Sequence, residues 1–272
     1  GVEALLDSVA SEAAVMAGRK RLELLCWAGK EVPRELSGDF RRLRQILLNL
    51  VSNAIKYTDR GQVRVRLSWQ SKDGDSIQGL LGLQVEDTGP GIPANKIPLV
   101  FERFSRLEHT GQNTREGVGL GLAIVKELAE RMEGNVAVAS LIGQGSTFTV
   151  TIPLGVVAGP RQVDREDGPA SAGQTWVLTA DKARAACASA LLSRLGIDAP
   201  VFESPEKSVR WSRQDDTLYG PDALLVWEDE FAPEEACQLA QLLRGERGGE
   251  VRLFIIGDDS SQFEQERMRY TR

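Results

Sequence analysis

Apolar residues recur at steps of three and four along parts of the chain and predict amphipathic helices. Two such stretches are 2–17 and 40–57, with Asp39 placed to cap the second helix. A third helix is predicted over 120–132, with Gly134 as its C-terminal cap, and a short helix is predicted over 97–104. Alternating apolar and polar residues elsewhere predict strands of an α+β domain whose hairpin strands are antiparallel. These strands cover 22–27, 63–69, 80–85, 136–141 and 147–153.

The pattern changes after a stretch rich in Gly, Pro, Ala and charged residues. We interpret residues 1–155 as one domain, 156–174 as a linker and 175–272 as a second domain. The second domain alternates strands with helices, which is typical of a parallel α/β sheet. Its predicted strands are 175–179, 200–202, 223–227 and 251–256, and its predicted helices are 183–195 and 233–244.

Composition then narrows the classes of function. The chain has 33 Lys and Arg against 39 Asp and Glu, and neither domain is basic. This balance argues against nucleic acid or a membrane surface as a partner. Three scattered cysteines and a single histidine, His109, give little basis for a zinc site or a histidine triad. No run approaches the about 20 apolar residues of a membrane span, and we expect a fragment of a longer protein.

The helix over 40–57 carries a polar stripe. Asn49, Asn53 and Tyr57 are spaced by four and share one face, with Lys56 beside them. Asparagine is unfavourable inside helices, so two on one face need an explanation. The stripe could be a solvated face, or its amides could be hydrogen-bonded in the core. Alternatively it could be a polyphosphate site, with amide oxygens that bind Mg²⁺ and an ammonium that binds phosphate oxygens.

Three glycine-containing segments follow. In 87–92, Asp87 at a strand end could accept a hydrogen bond from an exocyclic amine such as that of adenine, or the segment could be an ordinary turn. In 117–121, three glycines open a helix and could expose amides to an anion, or allow close packing. No Gly-Lys-Ser/Thr follows, and no strand precedes, so phosphate-loop and dinucleotide motifs do not fit. Residues 143–147 form a predicted hairpin turn.

In this order, the segments resemble the histidine kinase branch of the GHKL ATPase family. The family's Bergerat fold is an α/β sandwich with a mixed sheet and helices on one face. Residues 38–58 are similar to its N box nearly residue for residue. The similarity continues through a first G box at 87–92, an F box at 101–104, and later G boxes at 117–121 and 143–147. One departure is Val118, where the family commonly has Thr.

The resemblance implies ATP and Mg²⁺ as ligands. Asn53 would ligate Mg²⁺ with Asn49 beside it, and Lys56 would contact phosphate; these three are the implied catalytic residues. Tyr57 would pack on the adenine or ribose side, and Asp87 would accept from the adenine amine. Residues 93–116 would be a mobile lid, anchored by the apolar side chains of Phe101 and Phe104. The other residues implied at the ATP site are Gly89, Gly91, Ile92, Phe104, Gly117, Val118, Gly119, Leu120, Gly121 and Thr147.

Asn49 also separates two kinds of relative. Hydrolytic members such as gyrase carry Glu at this place to activate water, whereas an amide cannot act as a general base. The resemblance therefore implies a cytoplasmic part of a hybrid sensor histidine kinase, whose parent could be anchored in the inner membrane. It would pass the γ-phosphoryl to a histidine on a separate dimerisation hairpin, and onward to a response regulator or phosphotransfer protein. The alternative is a regulatory nucleotide-binding module that docks to another kinase.

The second domain resembles a flavodoxin-like receiver that is degenerate and C-terminally truncated. Receivers carry an acidic pair after their first strand, where this chain has only Asp181. They accept phosphate on an aspartate at the end of the third strand, and that place falls on Trp227. An unrelated small α/β interaction domain is the alternative. No nucleic-acid or membrane contact is expected of either domain.

Overall fold

The computed structural model describes seven stretches of the chain, and they form two compact units, Gly1–Asp164 and Arg165–Arg272. Each unit has its own buried apolar cluster. Most of the predicted linker, and the predicted site residues Phe104, Gly117 and Val118, lie outside the described residues. The described stretches are 1–72, 75–103, 119–157, 174–214, 221–227, 229–243 and 251–256.

The first unit contains a six-stranded mixed sheet in the order β1-β3-β4-β6-β2, with β5 also paired to β6. Only the β1–β3 pair is parallel. The last strand continues through residue 156, one residue past the predicted end of the domain. The strands are β1 (Glu23–Ala28), β2 (Leu36–Ser37), β3 (Gln62–Lys72), β4 (Asp75–Asp87), β5 (Asn135–Leu141) and β6 (Gly145–Val156).

Three helices cover one face of this sheet. Strand pairing places Val65 opposite Val85 and Leu67 opposite Leu83, and all four side chains are fully buried. The helices pack on this apolar face. Burial of apolar surface stabilises this packing by about 25 cal/mol per Å². This arrangement confirms the predicted mixed sheet with helices on one face. The helices are α1 (Val2–Arg19), α2 (Phe40–Tyr57) and α3 (Gly121–Arg131), and a 3₁₀ helix spans Ala94–Leu99.

Two local predictions need correction. The helix predicted to start at Ile97 is the 3₁₀ helix, which begins earlier and contains Pro98. The predicted cap Gly134 does not adopt the left-handed conformation; Glu133 does, with φ of 57°. Gly134 is needed for another reason, since a Cβ there would lie 2.3 Å from the Thr151 carbonyl oxygen. Close packing of the helix end on β6 therefore selects this glycine.

The second unit has a four-stranded, wholly parallel sheet in the order β10-β9-β7-β8. Counted within the unit, this is the strand order 2-1-3-4 that flavodoxin-like folds share. The strands are β7 (Thr175–Leu178), β8 (Val201–Phe202), β9 (Ala223–Trp227) and β10 (Arg252–Ile256), and the helices are α4 (Lys182–Arg194), α5 (Pro205–Gln214) and α6 (Pro233–Leu243).

Helix α5 was missed in the sequence because its apolar residues are few. Of its described side chains, the apolar ones that pack on the core are Val209 and Trp211, and the Trp211 ring lies 5.1 Å from that of Trp176. A signal was available at its start, since Ser204 before Pro205 is a common way to begin a helix.

Candidate nucleotide site

The N-terminus of α2 is capped as predicted. The Asp39 carboxylate accepts hydrogen bonds from the Arg41 and Arg42 amides at 3.0 and 3.2 Å. The apolar face of the helix is buried, which leaves the predicted polar stripe only partly exposed. Asn49, Asn53, Lys56 and Tyr57 are half-buried on that stripe.

The stripe meets the beginning of α3. A Cβ built on Gly121 would lie 3.5 Å from Asn53 Nδ2 and 3.6 Å from Asn49 Oδ1. The structure thus brings the two asparagines of α2 against the first residue of another helix, although more than 60 residues separate them in the chain. No side chain of the described residues caps the N-terminus of α3 at Leu120. Uncapped amides at a helix N-terminus favour an anion.

Lys56 lies on the same side. Its ammonium is 5.1 Å from the centre of the Tyr57 ring, within the range of a cation–π contact. The turn that precedes α3 contains Gly119, whose φ of 74° is a left-handed conformation that glycine adopts without strain. A cation, two amides and a free helix N-terminus together form a surface suited to phosphate oxygens.

Asp87 lies at the end of β4, next to the C-terminal end of α2. Its side chain is 6% exposed, and its Oδ1 accepts from the Gly89 amide at 2.8 Å. Burial raises the pKa of Asp87 above its ordinary value, while hydrogen bonds from the Gly89 and Ser146 amides lower it and nearby Glu86 raises it. Desolvation is the largest of these effects. A carboxylate held in this way is a strong acceptor for a donor that displaces water.

Thr58 is a site residue that sequence reasoning missed. It is fully buried, and its hydroxyl has no hydrogen-bond partner within the described part of the chain. A Cβ on Gly89 would lie 2.7 Å from Asp87 Oδ1, 3.2 Å from the Tyr57 carbonyl oxygen and 3.3 Å from Thr58 Oγ1. Three oxygens therefore converge on one glycine. The signal in the sequence was a polar residue directly after the last turn of the helix.

The β5–β6 hairpin supports the Asp87 end. Gly145 has φ of 108°, and a Cβ there would lie 1.8 Å from the Asp87 carbonyl oxygen. Strand pairing places Thr147 opposite Glu86, so this predicted site residue lies beside Asp87 in the sheet. The hairpin and the end of β4 therefore form one unit around the carboxylate.

The loop after Asp87 is fastened to the same hairpin. A Cβ on Gly91 would lie 2.2 Å from the Leu141 carbonyl oxygen, and φ at Gly91 is 74°. The Ile92 amide donates to Ser140 Oγ at 2.7 Å, which in turn donates to the Gly145 carbonyl at 2.8 Å. The sequence marked the glycines, but the Ser140 bridge depends on strand register and has no local motif.

Only the beginning of the predicted lid is described. Phe101 packs edge-on against Phe148, with ring centres 6.1 Å apart. Arg103 forms an ion pair with Glu127 of α3 at 3.0 Å. Of the two phenylalanines expected to anchor the lid, the structure places Phe101 on the core cluster.

In the second unit, the positions where a receiver would hold its acidic site are occupied by internal ion pairs. The Arg184 guanidinium binds Asp229 through two hydrogen bonds of 2.7 and 2.8 Å and reaches Glu230 at 2.7 Å. It also lies 5.7 Å from the ring centre of Trp227, which is buried. Asp181 accepts from the Ala183 and Arg184 amides and caps α4. Among the described residues, no cluster of three His, Cys, Asp or Glu is arranged to hold a metal.

Comparison with known proteins finds similar sequences and a similar structure. Residues 38–156 match the family described as histidine kinase-, DNA gyrase B- and HSP90-like ATPase. Sensor histidine kinase RcsC of Escherichia coli K12 is 37% identical over 188 residues, covering 69% of this chain and 19% of RcsC. Hybrid signal transduction histidine kinase B of Dictyostelium discoideum is 42% identical over 137 residues, or 50% of this chain and 7% of that protein. The chain thus spans a small part of these relatives.

The structural comparison extends over both units. Full-length ShkA, solved in complex with AMPPNP, is 26% identical to this chain, with a TM-score of 0.68. The alignment covers 99% of this chain and 51% of ShkA. None of the described helices is both long and apolar enough to cross a bilayer. Residues 38–156 thus match the histidine kinase-, DNA gyrase B- and HSP90-like ATPase domain, and both sequence relatives named above are histidine kinases.

Proposed function

We propose that this chain is the ATP-binding catalytic part of a hybrid sensor histidine kinase. It binds ATP with Mg²⁺ and passes the γ-phosphoryl to a histidine on a dimerisation hairpin of the parent protein, in the cytoplasm. The observation that carries this proposal is the two-ended site on α2. One end of the helix meets the buried Asp87, and the polar stripe meets the uncapped start of α3.

At the base end, Asp87 accepts the adenine amine. The Thr58 hydroxyl, unpaired within the described residues, supplies a second polar group, and Tyr57 packs beside the ring. Gly89, Gly91 and Ile92 let the backbone approach the planar base. A single acceptor that is buried and desolvated discriminates strongly, since a base without the matching donor leaves it unpaired.

At the phosphate end, Lys56 contacts phosphate oxygens and α3 offers its free amides. The residues present fit Mg²⁺, because the ion accepts one or two protein oxygens and completes its shell with water and phosphate. Asn53 would supply the side-chain oxygen, with Asn49 beside it. When bound, Mg²⁺ neutralises charge on the phosphates and so assists transfer. Gly119, Leu120 and Gly121 hold the anion, together with Gly117 and Val118 beyond the described residues.

Transfer rather than hydrolysis follows from Asn49. An amide takes no proton from water, so this position cannot serve as a general base. The phosphoryl group would therefore remain available for the hairpin histidine, and a response regulator or phosphotransfer protein would receive it next.

A regulatory module that binds nucleotide and docks to another kinase is the second candidate. The internal ion pairs of the second unit favour it, because Arg184 already occupies the carboxylates there. It differs from the first candidate in one respect, since it would bind ATP without transferring phosphate.

Phosphotransfer to a separately supplied histidine hairpin tests the proposal. The full chain, labelled ATP, Mg²⁺ and a hairpin from a related kinase should give acid-labile phosphate on the hairpin. Omitting the hairpin should leave little label on the chain, because the sole histidine, His109, has no expected acceptor role. ATP binding without transfer to any of several hairpins would favour the regulatory module. Stable label on His109 would contradict the proposed acceptor.

A further inference from the structure

Lys20 connects the first helix of the chain to the helix that carries the site. It follows α1 directly, and its ammonium donates to the carbonyl oxygens of Ile55, Lys56 and Thr58 at 2.8, 2.9 and 2.9 Å. An ammonium has three N–H donors, and all three are used here. Asp59 lies 3.7 Å from the same nitrogen.

This contact satisfies a specific need of α2. The last carbonyls of a helix have no partner within the helix, and the dipole gives that end a partial negative charge. One cation that binds three carbonyls fastens the last turn and the first residue beyond it. The Lys20 side chain is 34% exposed, so solvent screens the contact only in part.

The end of α1 holds Lys20 in place. Arg21 adopts φ of 55°, and the amides of Arg21 and Leu22 donate to the carbonyls of Gly18 and Ala17 at 3.1 and 3.0 Å. Leu22 is buried in the core directly afterwards. Lys20 therefore projects from a tight turn between two buried elements.

The fastened turn is the one that faces the base end of the site. The Tyr57 carbonyl and the Thr58 hydroxyl lie 3.2 and 3.3 Å from the Cβ position of Gly89, beside the Asp87 carboxylate. Recognition geometry of this kind tolerates displacements of only about 0.5 Å. Movement of the last turn of α2 would therefore change the relation of these oxygens to Asp87.

We propose that Lys20 is a positioning residue for nucleotide binding, which acts by holding the end of α2 against the base end of the site. This inference rests on the proposed function, since it concerns the affinity of the same site. Lys20 belongs to none of the motifs of the site and lies 35 residues before the first carbonyl that it binds.

The test compares Lys20→Met with two controls in the full chain. Lys30→Met makes the same chemical change at an exposed lysine outside the site. Val9→Ala removes buried volume from α1 about three turns before Lys20 and lowers global stability. Its neighbour Ser8 contacts Arg44, near the start of α2. ADP affinity is measured by calorimetry, unfolding by denaturant, and amide exchange by mass spectrometry over residues 53–60.

Lys20→Met should weaken ADP binding by about threefold or more, a typical effect of a positioning residue. Exchange at Tyr57 and Thr58 should accelerate in the folded protein, and Lys20→Arg should recover part of the affinity. Both controls should bind ADP as wild type does at temperatures where they are folded.

Wild-type affinity and exchange in Lys20→Met would overturn the inference. An equal loss of affinity in Val9→Ala would do so too, because it would reduce Lys20 to a stability effect. Should Lys20→Met fail to fold, the same measurements on Lys20→Arg and Lys20→Gln decide. If wild type itself binds no ADP or ATP, the proposed function fails, which is distinct from failure of the Lys20 inference.

Discussion

Burial of the Asp87 carboxylate has opposite consequences for stability and for recognition. Because its pKa is raised in the folded state, the folded protein binds this proton more tightly than the unfolded chain does. The resulting stabilisation is present at low pH and is lost as the pH rises through the raised pKa. The ionised form of Asp87 therefore lowers the stability of the fold, which is consistent with a carboxylate that serves as an acceptor.

Asp87→Asn should separate these two effects. The amide can present a donor to the adenine amine, and losing a charge-assisted bond costs about 1.5–3 kcal/mol, so ATP affinity should fall about tenfold or more. The free energy of unfolding of the variant at neutral pH should equal or exceed that of wild type, and this difference should decrease as the pH falls. Calorimetry measures ATP affinity, and denaturant unfolding at several pH values measures stability. Unchanged affinity would remove Asp87 from the base end.

Asn53 belongs to the opposite end and should behave differently. Asn53→Ala removes an oxygen from a half-buried polar stripe rather than from the core, so the domain should stay folded. Mg²⁺-dependent transfer to a supplied hairpin should be lost. Transfer to the hairpin is the measurement, with circular dichroism as the control for folding. Retained transfer would exclude the Mg²⁺ role.

At the scale of elements, the β5–β6 hairpin offers a matched pair of glycines. Gly143 and Gly145 both have positive φ, but a Cβ on Gly143 meets nothing within 4 Å, whereas on Gly145 it meets the Asp87 carbonyl. Gly143→Ala should cost about 1–2 kcal/mol from backbone strain alone. Gly145→Ala should cost more, about 3 kcal/mol or above, because strands must also separate. Denaturant unfolding measures both, and equal costs would contradict the packing argument.

Elements whose pattern is periodic were predictable, and contacts between them were not. The amphipathic period of α2 and the glycines at 89, 91 and 121 are visible in the sequence because helix faces and turns have local rules. The Thr58 hydroxyl and the Ser140 bridge depend on which elements meet. Helix α5 was not predicted because it has few apolar residues. The large rings of Trp176 and Trp211 fill the core there, so few other apolar side chains are needed for packing.

At the scale of the whole molecule, the two units differ in how their polar groups are paired. The candidate nucleotide site lies in the first unit, whereas acidic groups of the second unit are engaged in internal ion pairs. In the first unit, the buried Thr58 hydroxyl has no hydrogen-bond partner among the described residues. In the second unit, Arg184 neutralises Asp229 and Glu230, and Glu230 also accepts from the Thr179 hydroxyl at 2.6 Å. Groups already paired in this way are costly to redirect toward a ligand.

We therefore predict that residues 175–272 accept no phosphate. Transfer to a receiver needs a carboxylate nucleophile and a cation held by neighbouring acids. Trp227 fills the nucleophile's place with a buried ring, Asp181 is engaged as a helix cap, and a guanidinium occupies the space beside them. The full chain should gain no phosphate in intact-mass spectrometry after treatment with acetyl phosphate or a phosphorylated hairpin, and should bind no beryllofluoride. A mass gain of one phosphate on Asp222 or Asp229 would overturn this prediction, and on Asp229 it would also require the Arg184 network to open.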